Sequence, residues 1–259
     1  ILKGAVVMST RSEQINKTIQ WIRERVEQAH CKGVIVGISG GIDSAVVAYL
    51  IKKAFPNDSM GVILNIKSNP QDRVDAMKVI DGCGIEYLEL VLDEPQGMIL
   101  EMVKDKLDEK GLYRPETRKM SDANLRARIR MSTIYTIANN MGYLVAGTDN
   151  AAELLTGYFT KYGDGGVDFL PLANLTKAEV YEWAKELGIH DDLISKAPSA
   201  GLWDGQTDEN EMGTTYKYID MVIEGKRDQV PEKDLAIIDR LHRVSEHKRV
   251  PVPRPPKWD

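Results

Sequence analysis

The segment that most restricts the fold is Val34-Ile35-Val36-Gly37-Ile38. It runs directly into Ser39-Gly40-Gly41-Ile42-Asp43-Ser44 and then into the helix-compatible stretch Ala45 to Phe55, which Pro56 stops. A continuous apolar run rich in β-branched residues predicts a strand buried on both faces, as in a parallel sheet covered by helices. A strand that ends in a Gly-rich turn and feeds a helix also makes an anion site. The free N–H groups and partial positive charge of the helix start face the turn, and the glycines let a ligand approach the backbone. The hydroxyls of Ser39 and Ser44 flank the turn and can donate to phosphate oxygens. The carboxylate of Asp43 would repel phosphate unless a cation lay between them, so the turn predicts Mg2+ beside a nucleotide. It is not a Walker A loop, which needs a Lys before the Ser or Thr, and it lacks the third glycine spacing of a dinucleotide fingerprint.

The rest of the chain repeats the strand–helix alternation. Thr10 and Glu13 have capping-box spacing, and Ile15, Ile19, Ile22, Val26 and Ala29 recur at helical period, which predicts a helix over 12–30. Strands are expected at 60–66, 85–90 and 143–146, and helices at 71–80, 96–109, 121–141 and 149–156. A further helix is expected over 174–187, with Thr176 as its N-cap and Gly188 just past its end. Strands separated by helices predict a parallel twisted sheet with helices on both faces, Rossmann-like, within one domain spanning 1–259. Beyond residue 190 the strand signals stop and the chain reads as helix and loop. The polar stretch 199–213 is expected to be a mobile loop, and Pro251, Pro253, Pro255 and Pro256 keep the tail extended.

Composition narrows the functions. A net charge of −5 argues against nucleic acid as a partner, because phosphate neutralisation needs clustered Lys and Arg. Two isolated cysteines, Cys31 and Cys83, have no zinc-ligand spacing and suit a reducing, cytoplasmic setting. The start of the chain, Ile1 to Thr10, lacks a signal-peptide pattern, and no apolar stretch is long enough to span a bilayer.

The hexapeptide resembles the SGGxDS loop of ATP pyrophosphatases, which holds the pyrophosphate released when ATP donates AMP. Six further segments resemble the NAD synthetase family, specifically its ammonia-dependent members, and occur in the family's order over about 12–250. They are Ala127-Arg128-Ile129-Arg130-Met131; Gly147-Thr148-Asp149-Asn150-Ala151-Ala152-Glu153; the run 156–168 with Leu170-Pro171-Leu172; Leu175-Thr176-Lys177; Pro198-Ser199-Ala200-Gly201-Leu202; and Glu246-His247-Lys248-Arg249.

The resemblance implies a ligase that uses ATP and ammonia to convert deamido-NAD into NAD through an acyl-adenylate. It places ATP on Ser39, Gly40, Gly41, Ile42, Asp43, Ser44, Thr148, Lys177 and Ser199, and Mg2+ on Asp43 and Glu153. Deamido-NAD falls to Arg130, Lys161, Asp168, His247 and Lys248, in a site that the family builds partly from the second subunit of a homodimer. Catalysis is expected from Asp43 and Lys177. Relatives commonly carry Thr where Ser199 stands, and many carry His at Asn150, so Asn150 receives no role. Arg126 and Arg128 read as surface cations, and His30, His190 and His242 as structural. The segment 65–71 departs from the family, which leaves the adenine contacts unassigned. The chain's length leaves no room for an amidase domain, so ammonia is the expected nitrogen source. A tRNA-thiolating relative would prefer a basic surface or a CxxC pair, and a non-catalytic nucleotide sensor would have lost Asp43 or Glu153.

Overall fold

Thr10 opens helix α1 (Arg11–Gln28) through a reciprocal cap. Its hydroxyl accepts the Glu13 N–H and the Glu13 carboxylate accepts the Thr10 N–H, an arrangement that stabilises a helix start by about 1 kcal/mol. The computed structural model describes residues 9–199 and 207–258. Most of the Ile1 to Thr10 start therefore lies outside the described residues. Ile15, Ile19, Ile22 and Val26 form the buried stripe of α1.

Strand β1 (Gly33–Gly37) follows, then α2 (Ile42–Ala54), β2 (Ser59–Asn65), α3 (Pro70–Cys83), β3 (Glu86–Val91), α4 (Asp93–Asp108), α5 (Arg118–Met141) and β4 (Tyr143–Val145). The strands form one parallel sheet in the order β3-β2-β1-β4. Val34 sits beside Ser59 on one side and Leu144 on the other. A single parallel bridge between Ala146 and Phe169 extends the β4 edge. Side chains of β1 alternate as a strand requires. Val34, Val36 and Ile38 enter a core with α1, α2 and a later helix, while Ile35 enters a second core with Val62, Leu64, Val145 and Ala138. Both faces of the sheet are thus covered, which explains the uninterrupted apolar run. Each fully buried Val or Ile contributes about 1.5–3 kcal/mol.

After the sheet come α6 (Ala151–Thr156), α7 (Lys177–Leu187), α8 (Asp191–Ile194), α9 (Asp208–Met212), α10 (Tyr216–Ile223) and α11 (Glu232–Val244). Thr176 caps α7 as expected, but the helix starts at Lys177 rather than Asn174. The helix after β1 starts earlier than expected, at Ile42, so Asp43 and Ser44 lie in its first turn. Part of the loop expected over 199–213 is helical: Thr207 accepts the Asn210 N–H and opens α9, and Met212 is buried against Ala152, Tyr216, Ile219 and Ile238. Residues 200–206 of that expectation lie outside the described residues.

The strand order reverses at β1. The chain moves outward through β2 and β3, then returns to place β4 on the opposite side of β1. The turns after β1 and β4 consequently face each other at the carboxyl ends of the strands, where open α/β sheets bind ligands.

Candidate active site

The turn after β1 is wired from within. Ser39 Oγ accepts the Gly41 N–H at 3.2 Å, and Ser44 Oγ accepts the Ser39 N–H at 3.3 Å and donates to the Gly41 carbonyl at 3.0 Å. The Ser44 side chain is buried and shapes the turn, while Ser39 is exposed at its mouth. Gly40 has φ +80°, and a Cβ there would stand 2.6 Å from the Asp72 carbonyl oxygen. Only glycine fits that position without backbone movement. Ile42 points into the core beside α1, so its contribution to a ligand is its backbone N–H.

Asp43 reaches across to the turn after β4. Its Oδ1 accepts from Asn150 Nδ2 at 2.8 Å, and its Oδ2 accepts from the Lys177 ammonium at 2.5 Å. Asn150, for which the sequence suggested no role, is fully buried and is the N-cap of α6. Its side-chain oxygen accepts the Ala152 and Glu153 N–H groups, while Glu153 Oε2 accepts the Asn150 N–H at 3.0 Å. This is a second capping box, and its Asn-x-x-Glu spacing was visible in the sequence. It fixes Glu153 so that Oε1 stands 3.8 Å from Lys177 Nζ.

Lys177 is 3% exposed and is held between the two carboxylates. Burial alone would lower its pKa, but Asp43 and Glu153 outweigh burial and hold the ammonium above its ordinary value. The Glu153 carboxyl is pushed up to about 8, by burial first and then by the charge of Asp43. Burial also raises Asp149 and Asp208, each of which has a buried side-chain oxygen without a partner among the described residues. The pocket thus gathers more buried carboxyl groups than Lys177 alone can hold ionised. Two hard carboxylate donors with that excess fit Mg2+, which takes one or two protein carboxylates and fills its remaining positions with water and phosphate.

These groups line a cavity of about 470 Å³ that also touches Thr148, Arg130, Ser199, Lys196 and Lys248, a size suited to one small-molecule ligand. Its inner wall is apolar, built from Ile38, Leu64 and Val145 at the strand ends and Ile134 of α5. Asn65 and Ser68 also line it, so the segment that left the adenine contacts open does border the cavity. Lys196, which no sequence signal marked, bonds Asp72 at 3.0 Å and Asp75 at 2.9 Å on the helix that backs Gly40.

The expected deamido-NAD residues divide. Arg130 donates to the carbonyls of Leu64 and Ile66 and to Ser68 Oγ, with no carboxylate partner among the described residues. Burial, then the like charge of Arg126, pulls its pKa down to about 10. Arg126 is buried and paired with Asp122, so the surface reading fails for it. Four residues is one helical turn, which puts Arg126 on the face of Arg130. Arg128 is exposed, as expected. Lys248 donates to the Gly157 and Phe159 carbonyls at 2.7 and 2.6 Å. Lys161 lies outside the cavity wall, where it donates to the His247 carbonyl at 2.5 Å and its own carbonyl accepts from Arg128. Asp168 also stands apart from the cavity. It accepts the Val145 N–H at 2.7 Å and the Tyr135 hydroxyl at 3.0 Å and so secures the β4 edge.

The parallel sheet, its switch point and the Ser39–Ser44 turn define a nucleotide-binding protein of the ATP pyrophosphatase class. The family model described as NAD synthase matches residues 14–252. The NH(3)-dependent NAD(+) synthetase of Alkaliphilus oremlandii is 58% identical over 243 residues, covering 94% of this chain and 96% of that protein. Among solved structures, the NMN synthetase from Francisella tularensis is 37% identical, with a TM-score of 0.87 over 95% of this chain and 99% of the other. The NH3-dependent NAD synthetase from Campylobacter jejuni is 27% identical, with a TM-score of 0.78 over 96% and 100%. The chain belongs to the NAD synthase family.

Proposed function

We propose that this chain is an ammonia-dependent NAD synthetase, a ligase that carries out the last step of NAD biosynthesis. A carboxylate oxygen of deamido-NAD attacks the α-phosphorus of ATP, the bond to the bridging oxygen breaks, and pyrophosphate leaves. Ammonia then attacks the acyl carbon, AMP departs, and the nicotinamide of NAD remains. The observation that carries this reading is the meeting of the Ser39–Ser44 turn, Glu153 and Lys177 at the switch point of a NAD synthase family chain.

Asp43 and Glu153 would hold Mg2+, which supplies charge neutralisation for the triphosphate. The turn, Thr148, Lys177 and Ser199 bind ATP. Lys177 places its ammonium where negative charge grows on the leaving pyrophosphate, a contribution by positioning and electrostatics. Arg130 and Lys248 meet deamido-NAD from the cavity side, and Lys161, Asp168 and His247 meet it from outside. That split supports a homodimer in which a second copy completes the dinucleotide site. The same flank carries α4, whose Met98, Ile99, Met102 and Val103 are exposed, a patch of the kind that marks protein contacts. One domain serves both half-reactions, in the cytoplasm.

The test is direct. The purified protein, given ATP, Mg2+, ammonium and deamido-NAD, forms NAD, AMP and pyrophosphate, and glutamine without ammonium forms none. The structural likeness to an NMN synthetase favours one second reading, with nicotinate mononucleotide as the acyl substrate. A higher kcat/KM for the mononucleotide than for deamido-NAD would replace the first reading with the second.

A further inference from the structure

Helix α10 lies outside every motif that marked the chain, yet it grips Lys177 at both ends. Asp220, 6% exposed, accepts the backbone N–H groups of Lys177 and Ala178, each at 3.0 Å. Those are the first two N–H groups of α7, which no intrahelical carbonyl can satisfy. One turn earlier, Tyr216 is 5% exposed, and its ring face lies 4.9 Å from Lys177 Nζ, within cation–π range. The Tyr216 hydroxyl bonds Asp208 Oδ2 at 2.8 Å and reaches Glu153 Oε1 at 3.4 Å. A helical turn separates Tyr216 from Asp220, so the two project from one face of α10.

This double hold answers a physical difficulty. A lysine in the first turn of a helix sits at the positive end of the helix dipole, which disfavours its ammonium. Its long side chain also carries about 2 kcal/mol of rotamer entropy, which must be lost before it can act from one position. Asp220 brings a carboxylate to the helix start and fixes the backbone. The Tyr216 ring forms one wall for the ammonium, and its hydroxyl ties that wall to Glu153 and Asp208. The rest of α10 is anchored independently of Lys177: Thr215 caps it, and Ile219 is fully buried against Ala152, Met212 and Ile238.

We infer that Tyr216 and Asp220 are positioning residues for adenylation, holding Lys177 at the place where pyrophosphate departs. The inference rests on the reading of Lys177 as the cation of that step. It assigns no contact between α10 and substrate.

A double-mutant cycle tests it, with deamido-NAD-dependent exchange of labelled pyrophosphate into ATP, in the absence of ammonia, reporting adenylation alone. Tyr216→Leu slows exchange about ten-fold and leaves the KM for deamido-NAD unchanged, and Tyr216→Phe, which keeps the ring face, recovers most of the rate. In a Lys177→Met background Tyr216→Leu has no further effect, since residues acting through one contact are not additive. An equal slowing by Tyr216→Leu in both backgrounds would overturn the inference while leaving the role of Lys177 standing. Wild-type exchange by Lys177→Met would remove that role and the inference with it. If Tyr216→Leu does not fold, Asp220→Asn takes its place in the cycle, because it keeps one acceptor for two N–H groups. The same non-additivity is then expected, and the same additivity overturns.

Discussion

The two faces of the sheet are finished to different degrees. On one, α1, α2, α3 and α7 close over Val34, Val36, Ile38 and Ile63, and α2 buries ten of its residues, from Ile42 to Ala54. On the other, α5 covers Ile35 and Val62, but beyond it α4 buries only Gln96 fully and turns Met98, Ile99, Met102 and Val103 outward. A protein stabilised by burial does not leave such a helix bare without a use for it. The sealed face holds the phosphate turn rigid, and the open face is where a second chain is expected to sit. On the proposed reading, rigidity serves the ATP half of the reaction and assembly would serve the dinucleotide half.

The largest expected effect lies on the sealed side. Asp43→Asn lowers kcat by about two orders of magnitude or more, since it removes a carboxylate proposed to hold Mg2+ against the triphosphate. It also destabilises the protein by about 3 kcal/mol, because Lys177 then keeps only Glu153 in a buried setting. Steady-state kinetics and urea unfolding measure the two losses. Activity within a few-fold of wild type at limiting Mg2+ would end the assignment.

A matched pair of substitutions tests the contrast itself. Val47→Asp buries an unpaired carboxylate in the sealed core and is expected to cost about 4 kcal/mol or more. Met102→Asp, on the open helix, should leave Tm nearly unchanged but convert dimer to monomer in sedimentation and raise the KM for deamido-NAD. If Met102→Asp stays dimeric, the second chain sits elsewhere. If the protein is fully active as a monomer, the shared site is refuted.

A smaller effect follows from Glu153. Its pKa of about 8 in the folded protein lies well above the ordinary carboxylate range. Between that range and 8 the unfolded chain has released this proton while the folded chain retains it. The contribution therefore lowers stability as pH rises through that window and levels off above 8. Tm of the nucleotide-free protein should fall across the window, and Glu153→Gln should flatten the fall. Added Mg2+ with ATP should oppose it, most strongly at the alkaline end. The smallest effect is that of Thr10→Ala, which removes the α1 cap at about 1 kcal/mol and leaves kinetics untouched.

The sequence made β1, its turn and the following helix legible because three local signals coincide there: a buried apolar run, glycines where the backbone needs them, and a helix start. Strand order was not legible, yet it alone brings Asn150 to Asp43 across 107 residues of chain. Arg126 was misjudged by its type, since a charged residue reads as exposed until a partner such as Asp122 is seen. Tyr216 and Asp220 were invisible for a different reason. Their role lies in what they touch, and neither residue type nor spacing announces a contact between α10 and α7. Lys161, Asp168 and His247 came from family likeness, and their place outside the cavity is a matter of packing that no motif encodes.

The second capping box has a consequence for how the gene can vary. Asn150 starts α6, orients Glu153 and bonds Asp43, so the spacing from β4 to the helix sets the site's metrics. One extra residue within α6 before Glu153 would turn that side chain by about 100° and carry it about 1.5 Å along the axis, away from Lys177. Length changes should accordingly be purged between Val145 and Glu153 while they accumulate around 109–114, where the chain is exposed between α4 and α5. In a library of random single-codon insertions, the first window should yield no NAD-forming clones and the second should yield many.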